Sequence, residues 1–280
     1  MINETILSQI RERSPKIHSI TNTITINDCA NIILAAGGHA TMASACEEAA
    51  EMTSHCDGLV LNLGAVASLE AMLSAGKEAN RLGHPVVFDP VAAGATGLRR
   101  NACLQLLQEV RFSAIRGNAS EIHSLALLSQ KEKSSDKNDL SGIGDSFVDV
   151  KKEDAMQEKN LDTCLADARL LGSHTGAVII VSGIEDLVVS GDTCKILQGG
   201  SPLSAHITGS GCMLTELICL CIAASPETPF EAACTAAAWM NLCAEKAARK
   251  TRAADGGTMT FRMYLIDEIS KTFTNAVPGL

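Results

Sequence analysis

Four short apolar runs, each ending in a polar or glycine-bearing turn, constrain this 280-residue chain more than any other feature. They are Gly58 to Leu63 (GLVLNL), Pro85 to Phe88 (PVVF), a run opening at Ala114-Ile115, and Ala177 to Ser182 (AVIIVS). Between them, Ser68 to Arg81, Ala102 to Val110 and Asp162 to Leu171 carry apolar residues at helical spacing. Strands that alternate with helices predict an α/β fold with a mainly parallel central sheet flanked by helices in three layers. Leu187 to Ser190 and Cys194 to Leu197 read as a β-hairpin after the fourth strand. An apolar content of 46% over this length is enough for one large domain spanning 1–280.

The turns after the strands say more about function. They read Asn62 and Gly64, Asp89-Pro90, Arg116-Gly117-Asn118 and Ser182-Gly183. In open α/β sheets, ligands sit outside the carboxyl ends of the strands. A fifth feature is the turn Thr208-Gly209-Ser210-Gly211-Cys212-Met213-Leu214-Thr215, which opens a buried helix running to Ala224. A glycine turn at a helix start is an anion site, because the first N–H groups lack partners and the dipole is positive there. Cys212 would lie at that start, where a thiol pKa tends to fall. The other reading of the same residues is a plain strand-to-helix connection with a small apolar filler. Spacing alone leaves both open. The chain contains neither a Walker A loop nor a Gly-rich dinucleotide fingerprint.

A net charge of −9 argues against a nucleic-acid partner, although backbone N–H groups and a metal let an acidic protein bind ATP. Eleven cysteines are an odd number, and Met1 to Lys16 lacks the apolar segment of an export signal. Reduced thiols in the cytoplasm are the expectation. No uninterrupted apolar run has membrane-spanning length, and the seven histidines lack zinc-site spacing. Ser129 to Asn160, rich in Lys, Asp, Glu and Ser, reads as a solvated excursion from the βα rhythm.

These motifs, taken together, resemble the hydroxyethylthiazole kinase family of the ribokinase-like superfamily. His18-Ser19-Ile20-Thr21-Asn22, followed by Asn27, Ala30 and Asn31, is similar to the family's H-S-I-T-N…N-x-x-A-N pattern. Met42 falls at the family's substrate-facing methionine, with Glu47-Glu48 in register. Asp89-Pro90-Val91 with Gly94-Ala95-Thr96, then Ile115 to Ile122 (IRGNASEI), then the cysteine turn, continue the match in order from about Ser14 to Glu268. Departures are Ser182 where the family usually has Thr, Ala92 at a usual glycine, and the late segment Gly256 to Phe261 (GGTMTF).

The resemblance implies transfer of the ATP γ-phosphoryl to the primary alcohol of 4-methyl-5-(2-hydroxyethyl)thiazole, in thiamine biosynthesis and salvage. It implies ATP contacts from Arg116, Ser182 and Asn118, and Mg²⁺ held by Asp89 and Glu121. Met42, Gly209, Asn22 and Ile24 would contact the thiazole, although for Ile24 plain core packing is an equal reading. Gly209 and Gly211 would form the anion hole. Cys212 stands where most ribokinase-like enzymes place a catalytic Asp. As a thiolate it would accept the alcohol proton, the role favoured by the helix-start effect; alternatively it only shapes the anion hole while the phosphate takes the proton. A homotrimer with sites shared between subunits is also implied. Hydroxymethylpyrimidine kinase, pyridoxal kinase and hydrate dehydratase readings fit less well, because those relatives carry Asp in the glycine turn and lack the H-S-I-T-N start. A regulatory protein that binds nucleotide or thiazole without catalysis would be favoured by the loss of Arg116, Glu121 or Cys212, and all three are present.

Overall fold

The computed structural model describes residues 2–131 and 161–274. Its strands are β1 (Lys16–Ile20), β2 (His39–Thr41), β3 (Gly58–Asn62), β4 (Val86–Asp89), β5 (Ala114–Gly117), β6 (Val178–Val181), β7 (Asp186–Ser190) and β8 (Thr193–Leu197). Its helices are α1 (Glu4–Arg13), α2 (Ile26–Ala35), α3 (Cys46–Ser54), α4 (Leu69–Leu82), α5 (Gly97–Glu109), α6 (Ala119–Lys131), α7 (Leu161–Thr175), α8 (Ser210–Ala224), α9 (Pro229–Ala253) and α10 (Thr258–Thr274). All eight strands form one sheet in the order β2-β1-β3-β4-β5-β6-β7-β8. The first six run parallel, and the expected hairpin β7–β8 adds two antiparallel strands at one edge.

The parallel strands read as nearly unbroken apolar runs because helices cover both faces. Successive side chains alternate between those faces. Val60, Val87, Ala114, Val178 and Ile180 pack under α1, α2, α8, α9 and α10. Leu59, Leu61, Val86, Phe88, Ile115, Ile179 and Val181 pack under α3 to α7. Helix α8 is buried along its length from Met213 to Ala224, mostly by apolar side chains, with Thr215 and Glu216 as its buried polar residues.

Helix starts are where the fold departs from the periodicity. α5 begins at Gly97 rather than Ala102, since the Thr96 side chain caps it by accepting the Arg99 N–H at 3.2 Å. α8 begins at Ser210, so Gly211 and Cys212 lie inside its first turn. The charged stretch begins later than its composition suggests. Helix α6 continues through Lys131, and Ser129 is buried, donating to the Ala126 carbonyl at 2.8 Å. The remainder of that stretch, 132–160, lies outside the described residues. The eleven cysteines are all free thiols.

Candidate active site

Strand alternation builds the site. Asn62 has the parity of Val60, Asp89 that of Val87, Arg116 that of Ala114, and Ser182 that of Ile180. The polar ends of four neighbouring strands therefore project onto one face, the face that α8 covers. The chain leaves β1 for β2 on one side and returns to β3 on the other. That reversal is a topological switch point, the place where open α/β sheets bind ligands, outside the carboxyl ends of β1 and β3. Helix α8 points its N-terminus at the same end of the sheet.

Asn62 is the hub. Its Nδ2 donates to Asp89 Oδ2 at 2.9 Å and to Cys212 Sγ at 3.2 Å. Its Oδ1 accepts from the Gly64 N–H at 2.8 Å and from Asn22 Nδ2 at 3.4 Å. The Gly64 N–H can only donate, so it fixes which way the Asn62 amide faces. Thr215, one turn beyond Gly211, donates to Asp89 Oδ2 at 3.1 Å. Arg116 donates to the Ser182 hydroxyl and lies 4.0 Å from Asp89 Oδ1.

Two glycines make this approach possible. Gly209, the N-cap of α8, has φ +90°, and a Cβ there would lie 2.7 Å from Thr25 Cγ2. A Cβ on Gly211 would overlap the Arg116 guanidinium, so the cation rests against the first turn of α8 only because residue 211 is glycine.

Asn118 and Glu121 form a capping box at the start of α6. Asn118 Oδ1 accepts the Glu121 N–H at 2.9 Å, and Glu121 Oε2 accepts the Asn118 N–H at 2.9 Å. Glu121 Oε1 accepts the Ala92 N–H at 2.9 Å. Ala92 has φ +55°, a left-handed conformation that disfavours a Cβ by roughly 1–2 kcal/mol. A glycine here would adopt this conformation without that cost, and the Glu121 bond holds Ala92 in it.

Burial dominates the electrostatics. It pushes the Asp89 carboxyl up, against Arg116, Thr215, Cys212 and Asn62, which all favour the ionised form. Glu121 is likewise raised by burial and by the Asp89 charge. The expectation for Cys212 is reversed: its thiol is pushed up to about 12, first by burial and then by the Asp89 carboxylate. Arg116, Thr25 and Asn62 pull the other way without prevailing. Position at a helix start was the right observation, but burial of the sulfur, with the Asp89 carboxylate second, outweighs the dipole. One buried acid was missed altogether. Glu216, a turn below Cys212, accepts from Ser19 Oγ at 2.6 Å, and burial lifts its carboxyl to about 8.

The structure therefore brings together Cys212, Asn22, Asp89, Arg116, Ser182, Asn118, Glu121, Gly209 and Gly211. Met42 lies half-buried just after β2, at the same end of the sheet. Ile24 does not pack in the core: it is 79% exposed on the turn between β1 and α2. Sequence reasoning picked out Asn62 as a polar strand end but gave it no role, and it passed over Thr25 and Thr215 as site members. Thr215 gave no signal of its own in the sequence, since its partner Asp89 lies 126 residues away.

Polar ends of parallel strands meeting a glycine-started helix define a ligand-binding α/β protein with the ribokinase-like fold. The fold is shared with a ribokinase-like superfamily protein from Enterococcus faecalis V583, at a TM-score of 0.57 and 13% identity over 96% of this chain and 95% of that one. Similarity is greater to the structure of hydroxyethylthiazole kinase protein from Pyrococcus horikoshii OT3, with a TM-score of 0.78 and 28% identity over 99% and 95% of the two chains. The profile of the hydroxyethylthiazole kinase family matches residues 7–275. Hydroxyethylthiazole kinase of Clostridium acetobutylicum is 40% identical over 94% of this chain and 92% of its own length, and that of Desulfovibrio desulfuricans is 38% identical over 95% and 92%. The chain belongs to the hydroxyethylthiazole kinase family, and its activity is phosphorylation of hydroxyethylthiazole in thiamine salvage.

Proposed function

We propose that the site transfers the γ-phosphoryl of ATP to the primary alcohol of 4-methyl-5-(2-hydroxyethyl)thiazole. The observation that carries this reading is the convergence of four polar strand ends on the glycine-started N-terminus of α8. Phosphoryl transfer depends on positioning and on stabilising charge around the moving group. Gly209 and Gly211 offer backbone N–H groups to the phosphoryl, and Gly209 also borders the alcohol. Arg116 and Ser182 bind ATP phosphates, and Asn118 presents the α6 start to the nucleotide. Asn22, beside Cys212, faces the thiazole together with Met42.

Mg²⁺ fits the oxygen donors present. Asp89 Oδ1 is buried without a hydrogen-bond partner, while both Glu121 oxygens already accept a backbone N–H. We assign Asp89 as the nearer Mg²⁺ residue and Glu121 as one that meets it through water. When bound with ATP, the ion supplies positive charge to the phosphate oxygens. Cys212 is a thiol rather than a thiolate at neutral pH. Of its two possible roles we therefore adopt the second: it orients the alcohol and shapes the anion hole. The alcohol oxygen bonds to Pγ, the Pγ–O bond to ADP breaks, and the alcohol proton leaves on the transferred phosphoryl. ADP release should require both hydroxyethylthiazole and Mg²⁺. Turnover of pyridoxal or hydroxymethylpyrimidine, with none of the thiazole alcohol, would refute the reading.

We also propose a cytoplasmic homotrimer with shared sites. Cytoplasmic placement is supported by eleven free thiols. Sharing is supported by Ile24, which turns outward although it adjoins Asn22, and by Met259 and Met263, 67% and 53% exposed on α10. The Arg262–Asp28 ion pair pins that part of α10 to the same end of α2. An apolar patch beside the substrate end is what a neighbouring subunit would cover. Subunits carrying Ile24→Arg, refolded with subunits carrying Arg116→Ala, should regain part of the activity, because some sites then pair a native Arg116 with a native Ile24 from the neighbour. No recovery in a confirmed mixed trimer would exclude a shared site.

A further inference from the structure

We infer that His18 is a positioning residue for the substrate side of the site: its Nε2–H holds the Ala43 carbonyl and so fixes the turn at 42–45 that carries Met42. This rests on the reading that Met42 lines the thiazole pocket. His18 sits in β1, fully buried, paired with Thr41 of β2 and Leu59 of β3. Alternation sends its ring under α3, away from Ser19, whose hydroxyl goes to Glu216 on the opposite face. Nδ1 lies 2.8 Å from Thr53 Oγ1 on α3, and Nε2 lies 2.8 Å from the Ala43 carbonyl.

The partners decide the tautomer. Burial lowers the imidazole pKa against opposing contributions from the Ala43 bond and Glu48, so the ring is neutral and carries one hydrogen. A carbonyl only accepts, so that hydrogen is on Nε2. Nδ1 then accepts from the Thr53 hydroxyl, which otherwise donates to the Ala49 carbonyl at 2.9 Å. The far end of the turn is tied to α3, where the Ala45 carbonyl accepts the Glu48 and Ala49 N–H groups at 3.3 and 3.1 Å. The β1–β2 ladder ends at Thr41, residues 42–45 form no helix or strand, and Ala45, the N-cap of α3, supplies no side-chain cap. One imidazole thus joins a central strand, a helix and the turn bearing Met42.

Two amide variants separate this from simple packing. His18→Gln brings an N–H to the region of Nε2, whereas His18→Asn reaches only the region of Nδ1. His18→Asn should raise the hydroxyethylthiazole KM about tenfold while the ATP KM stays within about twofold. His18→Gln should stay within about threefold of the parent on both. Equal rises in the two KM values, or identical behaviour of Asn and Gln, would overturn the inference. Should His18→Asn fail to fold, the unmodified protein decides: proton–nitrogen NMR of the His18 ring at neutral pH should show Nε2 protonated, and an Nδ1–H tautomer would overturn it. A Met42→Ala variant with unchanged thiazole KM would instead remove Met42 from the pocket. The hold on the turn would then be read separately, as faster amide exchange at 43–46 in His18→Asn.

Discussion

Replacing Arg116 with Ala should lower kcat/KM for ATP by about 10- to 100-fold, the scale of a lost charge-assisted hydrogen bond. Binding of hydroxyethylthiazole alone, followed by calorimetry, should change far less. Arg116 projects from β5 onto the α8 face, donates to Ser182 and rests against Gly211. It also favours ionisation of both Asp89 and Glu121, so its removal should drive both buried carboxyls further up. Breaking a fully buried ion pair costs roughly 3–5 kcal/mol. At 4.0 Å, with the Arg116 side chain in part accessible, the Asp89 contact should contribute at the lower end or below. Arg116→Lys would restore charge without the planar fork and should recover only part of the activity. Gly211→Ala should weaken ATP use in the same way while residue 116 stays arginine, because its Cβ would displace the guanidinium. Unchanged ATP affinity and turnover in Arg116→Ala would reduce this residue to a counter-ion for Asp89.

Much of this arrangement was legible because strand parity is a strong rule. Once Gly58–Asn62, Val86–Asp89, Ala114–Gly117 and Val178–Val181 are strands, the polar residue ending each one shares a face with the apolar residue two before it. Families of motifs in order then supplied the chemistry. β1 and β2 escaped for a physical reason. Lys16–Ile20 carries His18 and Ser19, whose burial depends on Thr53, Ala43 and Glu216, partners distant in sequence. β2 is three residues long and shows no period. Ile24 was ambiguous because an apolar residue beside a site reads the same whether it faces its own core or a neighbour. Glu216 stayed hidden because a lone carboxylate in an apolar helix announces nothing until Ser19 is seen opposite it.

The thiol at Cys212 is the residue where local sequence and assembled structure disagree most, and it sets the last expected result. The helix start argues for a thiolate. Burial and the Asp89 carboxylate instead raise the thiol to about 12, leaving roughly one molecule in 10⁵ ionised at neutral pH. A thiolate base would make log kcat/KM climb with unit slope from about pH 9 to 10, above the range where the raised Glu121 and Glu216 carboxyls, at about 7 and about 8, titrate. A thiol that only orients the alcohol gives no such slope. The wild-type profile should therefore lack it, and Cys212→Ser, which keeps a small donor, should hold turnover within about tenfold. Cys212→Asp should behave differently. A carboxyl beside Asp89 would have its own pKa raised, yet it would ionise well below 12 and offer the proton a base at neutral pH. Its turnover should equal or exceed that of the parent, rising with pH through the new carboxyl's pKa and then levelling. A unit slope in the parent, together with a loss of about 10²-fold or more in Cys212→Ser, would return the general-base role to the thiol.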